Sequence, residues 1–226
     1  MKNLLYKELK LCLNPQLIIF ACFSVFVLIP DWPSAVAFIY ILAGLATVFP
    51  RALADKDIMY SVMLPVRKGD IVKGKLALIV LIEAFSILIS IPAAVVKALF
   101  IDPALIGSAA ANGSDPGYIA AVSPNMVAYG SVLLAFGVYA LILIPWYYRN
   151  PAKVNWPQLV SMLAASLILG LGIGLQALVP ALHADVREVS VFWIQFAYLF
   201  GGFLVYVFFT YLAERLGEKA FAKVDL

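Results

Sequence analysis

Long apolar runs alternate with short polar intervals along the whole chain. The apolar blocks cover residues 16–30, 34–50, 76–100, 125–147, 157–179 and 191–212. A helix needs about 20 apolar residues to cross a bilayer, so the pattern predicts six spans. The first, Gln16 to Pro30, is short, and either begins before Pro15 or sits in thinned bilayer. Asp31-Trp32-Pro33 then makes a tight turn with an interfacial Trp. Ahead of it, residues 1–14 carry Lys2, Lys7, Glu8 and Lys10 on one side and Leu5, Leu9 and Leu13 on the other. That spacing fits an amphipathic helix lying in the membrane interface, and equally the polar start of the first span.

Composition agrees with the pattern. The chain has 226 residues, 64% of them hydrophobic and only 13% charged, against about 25% charged in a soluble domain. Ala35-Val36-Ala37 has the form of a cleavage site, but Glu8 and the second apolar run that follows at once speak against a removed leader. Charge placement sets the expected topology. Fourteen of the 16 basic residues fall in residues 1–14, 51–75, the turn after 147 and the tail after 212; only Lys97 and Arg187 do not. Lys and Arg resist translocation, so these segments and both termini are expected in the cytoplasm. Residues 101–124 hold no Lys or Arg and are rich in Ala, Gly, Ser, Asp and Pro, as an extracellular loop would be. The expected fold is all-α: a single transmembrane domain over 1–226, with six helices and an N-terminal interfacial helix. A net charge of +3, spread over span ends, gives no reason to expect nucleic acid.

Soluble chemistry finds little support. Gly69 to Lys75 has the spacing of a phosphate loop, but Leu76 stands where a Ser or Thr must hold Mg²⁺, and no buried strand precedes it. One His and two separated Cys cannot make a usual metal site or a disulfide framework. HExxH is absent, and no nucleophile-base pairing is evident. The chain by itself is expected not to be an enzyme.

Polar residues inside the spans are the next candidates. Glu83 lies in the third span, with Ser86 and Ser90 on the same face. A carboxylate at that depth costs about 2.5–3.5 kcal/mol on insertion scales, so it should face the bundle interior or water. It either lines a substrate path or carries protons, or it holds helices together. Gln195, Tyr198, Gly202 and Tyr206 form one stripe on the sixth span, suited to a path or to a helix contact. Ser166, Gly170 and Gly174 recur every four residues on the fifth, suited to packing within the chain or against another subunit. Lys97 is expected to snorkel to the outer surface, and Asp70 to cap the start of the third span.

The interval 51–75 carries six basic residues together with Asp55, Asp57 and Asp70, and is long for a plain turn. Asp55-Lys56, then Leu64-Pro65-Val66-Arg67-Lys68, then Ile71-Val72 and Lys75 at the head of a span, resembles the ABC-2 type transporter permeases. The likeness is to the short six-span bacterial members that include subunits of phenol-soluble-modulin and antimicrobial-peptide exporters. Leu4-Leu5-Tyr6-Lys7-Glu8 is similar to that family's opening. The pattern covers the first hundred residues; beyond them only span layout matches. Where the family often has Asp-Glu, this chain has Asp55-Lys56, followed by Asp57.

The resemblance implies a permease in a bacterial plasma membrane. Its 51–75 segment would form a coupling helix docked into a separate ATPase subunit through Asp55, Lys56, Asp57, Ile58, Met59, Tyr60, Met63 and Arg67. It implies two ATPase subunits carrying ATP and Mg²⁺, a second permease copy or paralogue, and export of an amphipathic or hydrophobic substrate such as a peptide. An ion-coupled carrier built on Glu83, and a non-transporting scaffold or immunity subunit, are the rival expectations.

Overall fold

The computed structural model describes residues 2–12, 14–30, 32–63, 65–112, 119, 123–184 and 188–224, and these are overwhelmingly helical. Helix α1 is Lys2–Cys12. Helix α2, Pro15–Cys22, starts with Pro at its first turn and with Asn14 as cap, the Asn14 side chain accepting from the Leu17 amide at 2.6 Å. Phe23–Leu28 continues it as a 3₁₀ stretch. The longer rise of that stretch brings α2 and its extension to roughly 24 Å, still short of a hydrocarbon core of about 30 Å. The axis turns by 88° between α1 and this short span.

The second apolar block is also broken: a 3₁₀ turn Ser34–Phe38, α3 (Ile39–Ala46) and α4 (Val48–Ala54). Lys56 then takes a left-handed conformation, φ 53°, and reverses the chain into α5, Asp57–Met63. Four long elements follow. Helix α6 is Lys68–Val96 and passes through a π turn at Lys97–Ile101 into α7, Asp102–Ala111. Helix α8 is Met126–Arg149, α9 is Asn155–Leu178 and α10 is Val189–Ala222. Among the described residues, five helical stretches are long and apolar enough to cross a membrane, or six if α1 and the bent short span count as one.

Helix α8 is the centre of the bundle. Val132, Ala135, Phe136, Tyr139, Leu143 and Ile144 are all fully buried, because α9 and α10 pack along two of its sides. Missing side chains set how close the helices come. A Cβ on Gly202 would lie 2.6 Å from the Gly130 carbonyl oxygen, so α8 and α10 touch backbone to backbone.

Polarity along the chain marks where the membrane boundary falls, not where helices end. The expected loop 51–75 is mostly helix: α4 runs to Ala54, α5 fills its middle and α6 begins at Lys68. Arg67, not Asp70, is the cap residue of α6 and makes no side-chain cap bond; Asp70 sits in the first turn. The expected loop 101–124 is helical as far as Ala111; residues 113–118 and 120–122 lie outside the described residues. The charged tail from Glu214 continues α10 to Ala222. At 29 and 34 residues, α6 and α10 are about 43 and 51 Å long and overrun the hydrocarbon core. Beyond it they stay together, with Lys73 at 3.6 Å from Glu214 and 3.4 Å from Glu218.

Candidate functional site

The basic end of the bundle holds a buried network of four charges. Glu8 of α1, Asp57 of α5 and Lys75 of α6 are each at most 2% exposed, and Lys7 is one-fifth exposed. The Lys75 ammonium donates to Glu8 Oε2 at 2.5 Å and to Asp57 Oδ2 at 2.8 Å. Lys7 Nζ lies 2.6 Å from Asp57 Oδ1 and 3.2 Å from Glu8 Oε1, and also donates to the Ser61 hydroxyl. Ser61 in turn donates to the Asp57 carbonyl at 2.6 Å. Burial alone would push the Asp57 carboxyl up, but Lys75 and Lys7 outweigh it and hold that carboxyl below the usual carboxylate range. The N-terminal α1 is thereby tied at one point to the consecutive helices α5 and α6. Gly74 allows it: a Cβ there would meet Leu4 Cδ2 at 2.6 Å, so α1 crosses directly over α6.

Pinning α5 from beneath gives it two faces. Asp57, Ile58 and Ser61 turn inward and are buried. Met59, Tyr60 and Met63 turn outward, 53%, 65% and 76% exposed. Of the residues expected to meet an ATPase, then, Asp55, Lys56, Met59, Tyr60, Met63 and Arg67 are accessible. Asp57 and Ile58 are not: the first is spent on Lys75 and Lys7, and the second packs into the core. Beside α5 a cleft of about 280 Å³ opens between Leu53, Lys56, Met59, Asn150 and Pro151.

A second set of polar groups lies at mid-bundle. Glu83 is 1% exposed, and its Oε2 accepts from the Tyr206 hydroxyl at 2.7 Å, joining α6 to α10. Glu83 Oε1 and the hydroxyl of fully buried Tyr139 have no hydrogen-bond partner among the described residues. Ser86 bonds back to the Glu83 carbonyl at 2.7 Å, and Ser90 pairs with Tyr129 at 3.0 Å. Tyr198 pairs with Ser131 of α8 at 3.1 Å. The Gln195 amide donates to the Ala184 carbonyl at 3.1 Å, while its Oε1 is buried with no partner among the described residues. Gln195 and Tyr129 line a largely apolar cleft of about 680 Å³ with Ile87, Ile91, Leu199 and Phe203. The structure thus joins Glu83 to Tyr206, but distributes Ser90, Tyr198 and Gln195 over separate contacts.

Helix α9 packs within the chain on a face other than its Ser166/Gly170/Gly174 stripe. Its packed face is Ser161, Ala165, Leu169, Gly172 and Gln176, with a Cβ on Gly172 colliding with Ser131. Gly170 and Gly174 have open space around them, so the Ser166/Gly170/Gly174 stripe does not pack within the chain. Lys97 does not snorkel. It is 1% exposed and donates to the carbonyls of Ile29 at 3.1 Å and Trp32 at 3.4 Å.

Sequence reasoning missed Lys7, Glu8 and Lys75 as partners of Asp57, and it missed Tyr129 and Tyr139. Hydroxyls within the apolar fourth block were the available signal for the tyrosines. No group of His, Cys, Asp and Glu suited to a metal ion occurs among the described residues. Comparison with protein-family models, with curated proteins and with solved structures finds no match to this chain.

Proposed function

We propose that this multi-span bundle is the permease subunit of an ATP-driven ABC exporter in a bacterial plasma membrane. In this reading α5 is the coupling helix received by a separate ATPase, which carries the ATP and Mg²⁺. The observation that carries the reading is the two-faced α5. A seven-residue helix between two span-length elements presents Met59, Tyr60 and Met63 outward and is bolted from behind by a buried ion network. Exposed methionine and aromatic side chains on a short helix suit a groove in a partner protein. The bolt gives the docked helix something to move: a displacement of α5 passes through Asp57 and Lys75 to α6, and through Lys7 to α1. The resemblance of residues 55–75 to ABC-2 permeases supports the same assignment. The apolar cleft with Gln195 at its wall suits an amphipathic substrate.

The test is affinity purification of the tagged chain from its own membrane, identifying co-purifying ATP-binding subunits by mass spectrometry. The unmodified chain is expected to retain an ATPase. The Tyr60→Asp/Met63→Asp variant is expected to lose it at unchanged yield and melting temperature. Retention by the double variant would refute the docking role of α5.

One observation favours a second reading, an ion-coupled carrier: Glu83 keeps a buried carboxylate oxygen with no partner among the described residues. Ion-driven uptake or efflux by the purified chain alone in vesicles, abolished by Glu83→Gln, would select that reading over the exporter.

A further inference from the structure

At the basic end of the bundle, beside the Tyr148–Phe221 ring contact that joins α8 to α10, a cleft of about 870 Å³ opens along the two helices, within the range of small-molecule sites. Its rim carries Arg149, Lys219 and Lys223, all exposed. None of the three forms an ion pair with a described residue, although acids stand nearby on the same helix. Glu214 and Glu218 point to another face of α10, toward Lys73 of α6, and Glu218 also lies 3.6 Å from Arg215. Charge on this helix end is therefore sorted: acids toward the bundle, unpaired cations toward the cleft.

Below the cations the wall turns apolar. Ile142 and Pro145 line it one to two turns deeper on α8, Leu216 lines it on α10, and Trp146 stands between the two zones, 44% exposed. That sequence of cations, indole and aliphatic wall matches the profile of a bilayer from headgroup to acyl chain. Cations at helix C-termini also offset the helix dipole. The dipole accounts for a positive charge in each last turn, but not for three converging on one apolar-walled cleft.

We propose that this cleft is a binding site for one anionic phospholipid. The phosphate would be held by Arg149, Lys219 and Lys223, and an acyl chain would lie along Ile142, Pro145 and Leu216. The guanidinium of Arg149 offers a planar fork to two phosphate oxygens, and the two ammonium groups supply charge from the opposite wall. The lipid would fill the groove alongside the Tyr148–Phe221 contact between α8 and α10. The site stands independently of the exporter reading, needing only that the bundle lie in a bilayer.

The test uses detergent-solubilised full-length chain and brominated lipids, which quench tryptophan fluorescence on contact. A Trp146→Phe variant identifies the share of quenching that arises at the cleft. Brominated phosphatidylglycerol is expected to bind more tightly than brominated phosphatidylcholine by at least about tenfold, as three interfacial cations imply. The preference should fade as salt is raised. It should vanish in Arg149→Gln/Lys219→Gln/Lys223→Gln, whose exposed positions leave the melting temperature unchanged. Equal affinity for the two lipids would overturn the proposal, as would a preference that survives the triple substitution. Competition by soluble glycerol phosphate as effective as that by unlabelled phosphatidylglycerol would also overturn it, showing a site for a free anion. If the triple variant instead loses a co-purifying protein and keeps its lipid preference, the cleft is a protein contact and the lipid assignment is wrong.

Discussion

Two buried glutamates sit in this molecule at different depths and in opposite circumstances. Glu8, at the basic end, is fully buried yet lies within salt-bridge distance of Lys75 and Lys7, with Asp57 sharing both cations. Glu83, at mid-bundle, meets one phenol and leaves an oxygen unmet. The first arrangement is balanced, two anions with two cations, and joins α1, α5 and α6. The second is a single hydrogen bond between α6 and α10, well away from the Lys73 bridges at the basic end. Charge is thus used densely where the helices leave the hydrocarbon and sparingly within it, where each unpartnered polar atom is expensive.

The contrast can be tested by removing one group at a time. The largest expected effect is Lys75→Met, which strands two buried carboxylates with Lys7 alone. Breaking a buried ion pair costs about 3–5 kcal/mol, to be read as a fall in melting temperature of the purified protein. Adding Glu8→Leu restores the balance of charge and is expected to recover much of that loss. A double variant no better than the single one would show that Glu8 is not part of the balance.

A packing control comes next. Gly202→Leu forces a side chain onto the Gly130 backbone and is expected to cost about 1–3 kcal/mol. Gly170→Leu and Gly174→Leu enter open space and should each fall within about 0.5 kcal/mol of the parent. Equal effects at all three would mean that α9 has a partner on the Ser166/Gly170/Gly174 side in the purified protein.

Tyr206→Phe removes the one hydrogen bond that Glu83 receives and is expected to cost about 1 kcal/mol, the scale of hydrogen bonds between membrane helices. Glu83→Gln keeps an acceptor facing Tyr206 and should cost less, as the same melting assay can show.

The smallest effect is pH dependence at the ionic end. Lys75 and Lys7 hold the Asp57 carboxyl below its ordinary value of 3.8. Its stabilising contribution is therefore fully present above that value and is lost as pH falls through the lowered one. The parent is expected to lose melting temperature more steeply than Asp57→Asn below about pH 4. Parallel acid limbs would remove Asp57 from the balance.

Two of the six apolar blocks were readable from the sequence to within two residues at each end. The expected spans 125–147 and 157–179 correspond to Met126–Arg149 and Asn155–Leu178. What it concealed is how charged residues behave in helices. Residues 68–75 and 214–222 read as a polar loop and tail, yet Lys and Glu are good helix formers, and Lys73 meets Glu214 and Glu218 across two helices. Lys75 reads as a flexible entry to a span, and Glu8 as part of a wetted face. They are instead each other's closest partners, 67 positions apart, a separation that helical periodicity cannot signal. Glu83 and Tyr206 were both legible as odd residues in apolar runs. Their pairing was not, because 123 residues and a change of helix separate them.

The capture of Lys97 by the backbone at Ile29 and Trp32 has a mechanical consequence. The short first span is stapled to α6 at one extremity by that ammonium, while α1, its N-terminal neighbour, is stapled to α6 at the other by Lys75. The N-terminal elements are thus held to α6 at both ends, while Phe38 and Phe49 seat them against Phe136 and Tyr147 of α8. A shift of α6 along its axis would therefore carry the N-terminal elements with it as one piece.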